Sequence, residues 1–178
     1  VCCGTGDLSL ALARGLGKQA RVLGADFAFA MLERARAKAA TAAWIQGDAL
    51  RLPFAAESFA AVTSAFGFRN LSDYRAGLAE FRRLLEPGGL LAILEITEPS
   101  VPILGSMYRI YFERLLPRLG GWISGQPEAY RYLPDSVSRF PAPDVLAAWM
   151  REMGYNDPRC VRFGGGIATL HLARKPPA

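Results

Sequence analysis

The sequence predicts an α/β fold built on a mostly parallel sheet. Short apolar segments alternate with helical segments of about 10–15 residues, the pattern of βαβ units. Glycines and acids punctuate the ends of those segments. Near the end, Gly164-Gly165-Gly166 separates two apolar segments and predicts a closing antiparallel hairpin.

The elements follow in order. Asp7 to Leu16 places Leu8, Ala11 and Leu12 at helical spacing, and Gly17 stops that helix. Arg21 to Ala25 is a short strand ending at Asp26. Phe29 to Ala40 is helical, with Met31, Leu32 and Ala35 on one face. Ala43 to Gln46 is a strand before Gly47-Asp48, and Ala60 to Ala65 is another. Asp73 caps a helix reaching Leu85, with Leu78, Phe81 and Leu85 turned inward. Glu86-Pro87-Gly88-Gly89 stops it and turns the chain into the apolar strand Leu90 to Glu95. Pro143 opens a helix to Met153, stopped by Gly154, and the final strands are Cys160 to Phe163 and Ile167 to Arg174. Residues 99–141 break the alternation. They are rich in aromatic residues, with Pro and Gly punctuation, and read as a substrate-covering insertion within a single domain, 1–178.

Composition bounds the function. Hydrophobic residues are 51% and charged residues 21% of 178, which describes one globular domain with a sizeable core. Three cysteines and one histidine predict neither a disulfide framework nor a zinc site, so no metal is expected. The net charge of +5 comes from scattered arginines rather than a basic run. Solvated surface is the first reading and an anionic membrane surface the second; nucleic acid is not expected. No apolar run reaches the roughly 18 residues of a spanning helix, and no leader precedes a cleavage site. The expectation is a soluble, cytoplasmic protein. Val1 leads at once into a glycine turn, so the chain reads as truncated at its N-terminus.

Gly4-Thr5-Gly6 sits between a strand end and a helix, where glycine lets the backbone approach a ligand. A Gly-x-Gly alone is weak evidence. Position 9 is Ser9, so the third glycine of a dinucleotide fingerprint is missing. Asp7 occupies the electropositive helix start that a pyrophosphate would need. These features disfavour NAD, FAD and ATP and suit S-adenosylmethionine, which has a sulfonium and no phosphate. Asp26 ends the next strand 22 residues after Gly4, close to the ~20 expected of a ribose-binding acid. Asp48-Ala49 ends the third strand, where a carboxylate can accept from the adenine amino group. The competing reading, that each acid merely caps a helix, weakens when all three occur with the glycine turn.

These residues resemble class I methyltransferases: CCGTGDL is similar to their motif I, GADFAFAML to the ribose motif, GDALRLPF to the adenine motif, and LLEPGGLLAILE to the segment before the fifth strand. AFGFRN (Ala65 to Asn70), EAYRYLPDSV and GGIATLH resemble the C-methyltransferases of ubiquinone and menaquinone biosynthesis, over essentially the whole chain. Phe68 and Ala28 depart from the usual residues of that family. The resemblance implies a Rossmann-like, seven-stranded, mostly parallel sheet with a C-terminal antiparallel hairpin. It also implies S-adenosyl-L-methionine as cofactor and an isoprenoid quinol as substrate. AFGFRN and ISGQPEAY look closer to the demethylmenaquinol branch than to the ubiquinol precursor. Methylation of another small molecule on oxygen or nitrogen, and a non-catalytic cofactor-binding subunit, are the other readings.

The implied reaction needs a base and a cation to hold a phenolate. Arg69 is the candidate cation, and Asn70 could orient a water or the substrate oxygen. In the competing reading Arg69 pairs with Asp73 and Asn70 caps the helix. His171, the only histidine, is the natural base by its ordinary pKa, although its setting in LHLA equally suits core packing. Asp135 is a further candidate base. Phe66 of the signature, with Tyr130 and Tyr132, would line the quinol pocket. The insoluble isoprenoid tail implies visits to a bilayer surface, and residues 102–123 carry an apolar stripe flanked by arginines. A homo-oligomer is a further expectation.

Overall fold

The computed structural model describes residues 1–38, 43–97 and 135–178. Among them are six strands and four α-helices, besides the helical residues 135–139. In chain order these are α1 (Asp7–Leu16), β1 (Leu23–Asp26), α2 (Phe29–Lys38), β2 (Ala43–Gln46), β3 (Phe59–Ala65) and α3 (Tyr74–Leu84). They continue with β4 (Leu85–Ile96), α4 (Pro143–Glu152), β5 (Asn156–Phe163) and β6 (Ala168–Arg174). Strands β1 and β2 pair in parallel. A second group runs β3-β4-β6-β5, with β3 and β4 parallel. Strand β6 is antiparallel to both β4 and β5, so the expected closing hairpin is present. The described residues thus hold six strands in two hydrogen-bonded groups.

Val1 to Cys3 lies between the two groups. The Val1 nitrogen donates to the Thr63 carbonyl at 2.7 Å. The Cys3 N–H donates to the Ala25 carbonyl at 3.0 Å. These two bonds place the Gly4-Thr5-Gly6 turn at the carboxyl ends of β1 and β3, where open parallel sheets bind ligands.

The core forms where helices cover the sheet. On α3, Leu78, Phe81 and Leu84 are buried, and they meet Leu91 and Ile93 of β4 in one cluster. Burying such side chains stabilises by about 1.5–3 kcal/mol each. From α4, Leu146 and Met150 join the same cluster. The Asp73 carboxylate caps α3 by accepting from the Ala76 N–H at 2.9 Å.

Three expectations change. Glu86 to Gly89 is not a turn between helix and strand: α3 ends at Leu84, and β4 begins at Leu85 and continues through the segment. Register passes from Phe59–Leu85 to Ala61–Leu90, so the extra residues form a bulge that positive φ at Gly88 permits. On α1 the buried residues are Ser9 and Leu10, while Leu8 is exposed. Its leucines at 8, 10, 12 and 16 define no single face, so docking against the sheet decides. On α2, Leu32 and Ala35 are buried, but Met31 is exposed. Most of the expected insertion, 99–141, lies outside the described residues, as do Tyr130 and Tyr132; residues 135–139 are helical.

Candidate active site

The turn that opens α1 is held by left-handed glycines. Gly4 has φ +52° and Gly6 φ +84°, and a side chain at Gly4 would meet nothing within 4 Å among the described residues. The space above Gly4 is therefore open to a ligand. The Gly4 N–H donates to Asp26 Oδ2 at 2.7 Å, and the Ala28 N–H donates to Asp26 Oδ1 at 2.9 Å. Both bonds fix the carboxylate without exhausting it, because each ionised oxygen keeps a lone pair for a further donor.

Asp26 and Asp48 are brought to one edge by strand pairing. Asp26 stands opposite Gln46 in the parallel ladder, and the next N–H, that of Gly47, donates to the Asp26 carbonyl at 3.0 Å. Asp48 follows directly, with Oδ1 accepting from the Leu50 N–H at 2.9 Å. Ala49 is buried beneath it. The loop after Asp48 is clasped by α3. Glu80 Oε1 accepts from the Leu52 N–H at 2.8 Å, and Arg83 donates to the Phe54 carbonyl at 2.8 Å. Glu80 and Arg83 pair at 2.7 Å. The Arg83 guanidinium holds the Glu80 carboxyl below its ordinary pKa, against a smaller effect of burial. The sequence reading missed this clasp. Its only trace is the i, i+3 spacing of the two charges on α3.

Asp7 does not face a ligand alone. Lys38 donates to both its oxygens at 2.8 and 2.9 Å, and Thr5 Oγ donates to one of them at 2.8 Å. The Lys38 hydrogen bond, followed by that of Thr5, lowers the Asp7 pKa. The Thr5 hydroxyl is thus turned toward Asp7 and Lys38, and the turn's backbone is the part presented to a ligand.

A crevice of about 370 Å³ opens between this turn and the end of β3. Cys3, Asp7, Leu8, Ala65, Phe66 and Leu94 contribute to its walls. Phe66 is half-exposed there at φ +58°, a strained value for a non-glycine residue. Its N–H donates to the Leu94 carbonyl at 2.8 Å, and its own carbonyl accepts from Arg69 Nη1. Arg69 therefore props the strained turn from behind.

Arg69 pairs with Glu95 rather than Asp73. Its Nη1 donates to Glu95 Oε2 at 2.8 Å, its backbone N–H donates to Glu95 Oε1 at 3.0 Å, and its Nε donates to Ser136 Oγ at 3.2 Å. Asp73 is instead the cap of α3, so Asn70 is not. Burial raises the Glu95 pKa, and the Arg69 charge opposes that rise. Asn70 lines a neighbouring recess of about 450 Å³ with Arg69, Tyr74 and Arg139. The two positions expected to work together, Arg69 and Asn70, are thus adjacent on one short 3-10 turn beside Phe66.

His171 is not brought to this crevice. It lies in β6 opposite Ile93 and Cys160, fully buried. Its Nδ1 is 3.2 Å from the Cys160 thiol, and its Nε2 is buried with no hydrogen-bond partner among the described residues. Burial lowers its pKa to about 4. A base has to reach the proton that it removes, and a sealed Nε2 cannot. Asp135, the other candidate, begins the described part of the helical residues 135–139 and is exposed. Phe27 was not singled out from the sequence, although it follows Asp26 and is 75% exposed. Its ring stands exposed directly after the strand-end acid Asp26.

The fold and the acid-edged glycine turn define a class I S-adenosylmethionine-dependent methyltransferase. More narrowly, the chain belongs to the ubiE/COQ5 methyltransferase family, whose profile matches residues 1–175. A demethylmenaquinone methyltransferase of Thermus thermophilus is 48% identical over 177 residues, covering 97% of this chain and 80% of the relative. Its counterpart in Deinococcus radiodurans is 46% identical, covering 98% and 73%. One from Staphylococcus aureus is 39% identical, covering 98% and 74%. Solved structures agree on the fold. A methyltransferase of Thermotoga maritima superposes with a TM-score of 0.70 at 20% identity, covering 98% of this chain and 79% of that one. A phosphoethanolamine methyltransferase of Haemonchus contortus, in complex with S-adenosyl-L-methionine, gives 0.67 at 15%, covering 98% and 47%.

Proposed function

We propose that this methyltransferase acts on a ring carbon of demethylmenaquinol, a step of respiratory quinone biosynthesis. The observation that carries the site assignment is the Gly4–Asp26 bond at 2.7 Å, which sets a carboxylate and an open glycine turn together at the strand ends. The substrate assignment is supported by the names of relatives 39–48% identical over nearly the whole chain.

The cofactor supplies an electrophilic methyl group on a sulfonium. In this reading Asp26 accepts from the ribose hydroxyls, Asp48 and Ala49 meet the adenine, and the backbone of Gly4, Thr5 and Gly6 cradles the amino acid end. Asp26 and Asp48 suit a cationic ligand and disfavour a phosphate, whereas Asp7 is paired with Lys38. Phe66 lines the acceptor side.

A neutral hydroquinol carbon is a weak nucleophile, and loss of the neighbouring hydroxyl proton raises its electron density. Arg69 holds the resulting phenolate. Among the described residues its Nη1 and Nε donate to Phe66, Glu95 and Ser136, which leaves Nη2 as the edge for an oxyanion. Asn70 orients the water or the substrate oxygen. His171 serves packing in this reading, and Asp135 takes its place as the candidate base. The isoprenoid tail brings the protein transiently to an anionic membrane surface. Among the described residues no helix is long and apolar enough to cross one. The segment expected to make that contact, 102–123, lies outside the described residues.

Turnover of demethylmenaquinol and of the ubiquinol precursor, side by side with labelled S-adenosylmethionine, tests the reading. Label transferred to demethylmenaquinol at the higher kcat/KM supports it. Transfer only to the ubiquinol precursor would move the substrate, and transfer to neither would remove the function.

A further inference from the structure

Trp44 stands directly opposite Gly24 in the β1–β2 ladder. Its six-membered ring occupies the space that a side chain at Gly24 would need. A Cβ there would lie 2.5 Å from both Cε3 and Cζ3. The ring reaches further, to the underside of the glycine turn. A Cβ on Gly6 would lie 2.3 Å from Trp44 Cη2 and 2.9 Å from Cζ3. Separations under 3 Å are closer than packed carbon atoms tolerate. One indole thus fills a slot whose two sides are glycines: Gly24 of the strand that ends in Asp26, and Gly6 of the turn that opens α1. Ala35 of α2 closes the same slot, 3.1 Å from the Cβ position of Gly6. Among the described residues the buried Trp44 Nε1 has no hydrogen-bond partner, which points to the ring's shape rather than its polar atom.

From this packing we infer that Trp44 is a positioning residue for the cofactor. It is a rigid floor that sets the height of the Gly4-Thr5-Gly6 turn above β1. The inference rests on the assignment of the cofactor site to that turn and to Asp26. Trp44 touches no ligand; it acts through Gly6 and Gly24. Without the ring, Gly6 loses its support and the turn can settle toward β2. The Gly4 N–H then no longer meets Asp26 at 2.7 Å in the geometry seen here.

The test is calorimetry with S-adenosylmethionine on Trp44→Phe and Trp44→Leu, alongside steady-state kinetics and melting temperatures. Trp44→Leu should raise the cofactor Kd about tenfold or more, and Trp44→Phe by less. The turnover number at saturating cofactor and the quinol KM should stay within about twofold, a split that general loss of folding would not produce. Gly24→Ala should weaken cofactor binding in the parent and cost little further in the Trp44→Leu background, where the collision is gone. Unchanged cofactor affinity in a folded Trp44 variant overturns the inference. So do losses in kcat and quinol KM that track the melting temperature. If Trp44→Leu fails to fold, Trp44→Phe decides by the same criteria. Asp26→Ala serves as the control: lost affinity there with none lost at Trp44 sinks this inference and leaves the site standing. Affinity retained in Asp26→Ala removes the site itself and the inference with it.

Discussion

Glu95 holds Arg69 at both ends, taking the backbone N–H on one carboxylate oxygen and the guanidinium on the other. The Glu95 side chain is fully buried and that of Arg69 only 9% exposed. The residues are 26 positions apart, one at the end of β4 and the other on the turn after β3. Their pairing joins the carboxyl ends of two parallel strands under the strained Phe66.

Breaking one side of such a pair leaves a buried charge without a partner, at a cost of about 3–5 kcal/mol. Glu95→Ala should lower the unfolding free energy by that order, and urea denaturation reads it. A loss under about 1 kcal/mol would mean that water reaches the guanidinium.

Arg69→Ala should depress turnover far more than it raises the cofactor Kd, because its charge matters where phenolate develops. Single-turnover kinetics and calorimetry separate the two. Arg69→Lys should recover little, since an ammonium cannot span Phe66, Glu95 and Ser136 together. A collapse of cofactor binding with unchanged turnover would place Arg69 elsewhere in the cycle.

Asp26→Ala removes a charge-assisted acceptor worth about 1.5–3 kcal/mol, roughly tenfold or more in S-adenosylmethionine affinity. It also frees the N–H groups of Gly4 and Ala28. Asp26→Asn keeps one acceptor and should lose less. Calorimetry on both variants ranks them, and equal affinity in all three proteins would exclude Asp26.

Glu80→Ala should destabilise by about 1–3 kcal/mol, because the Leu52 N–H is left buried without an acceptor. The loop after Asp48 should loosen with it. Hydrogen exchange at Leu52 and thermal melting check the two effects separately.

His171 sets a pH dependence. Its folded pKa of about 4 lies below the ordinary 6.5, so the unfolded chain binds the proton more readily. Its contribution is fully present above about pH 6.5 and is lost as the pH falls through about 4. The span corresponds to roughly 3 kcal/mol. His171→Leu should flatten that part of the stability curve, measured by urea denaturation at pH 7, 5.5 and 4. An unchanged slope would assign the acid sensitivity to other groups.

Much of this molecule is local and therefore legible in the sequence. The bounds of the helix Asp7–Leu16 and of the strand Ala43–Gln46 follow from local preference and stop signals, which act within a few residues, whereas the buried face of that helix does not. Asp26 and Asp48 were legible for a related reason: in a parallel sheet successive strand ends meet at one edge, so order along the chain becomes proximity in space. Other features depend on partners far along the chain. Nothing near His171 tells whether Nε2 faces a crevice or the core; burial against Cys160 decides that. Arg69 had a local partner in Asp73, but the tertiary fold supplied Glu95, whose desolvated carboxylate needs a cation more than an exposed cap does. The bulge at Gly88 arises because β4 must stay in register with β3. The floor under the glycine turn exists only once β1 and β2 pair, since only then does Trp44 stand opposite Gly24. Backbone preference and side-chain period act between neighbours, whereas desolvation, register and packing are properties of surfaces that meet only on folding.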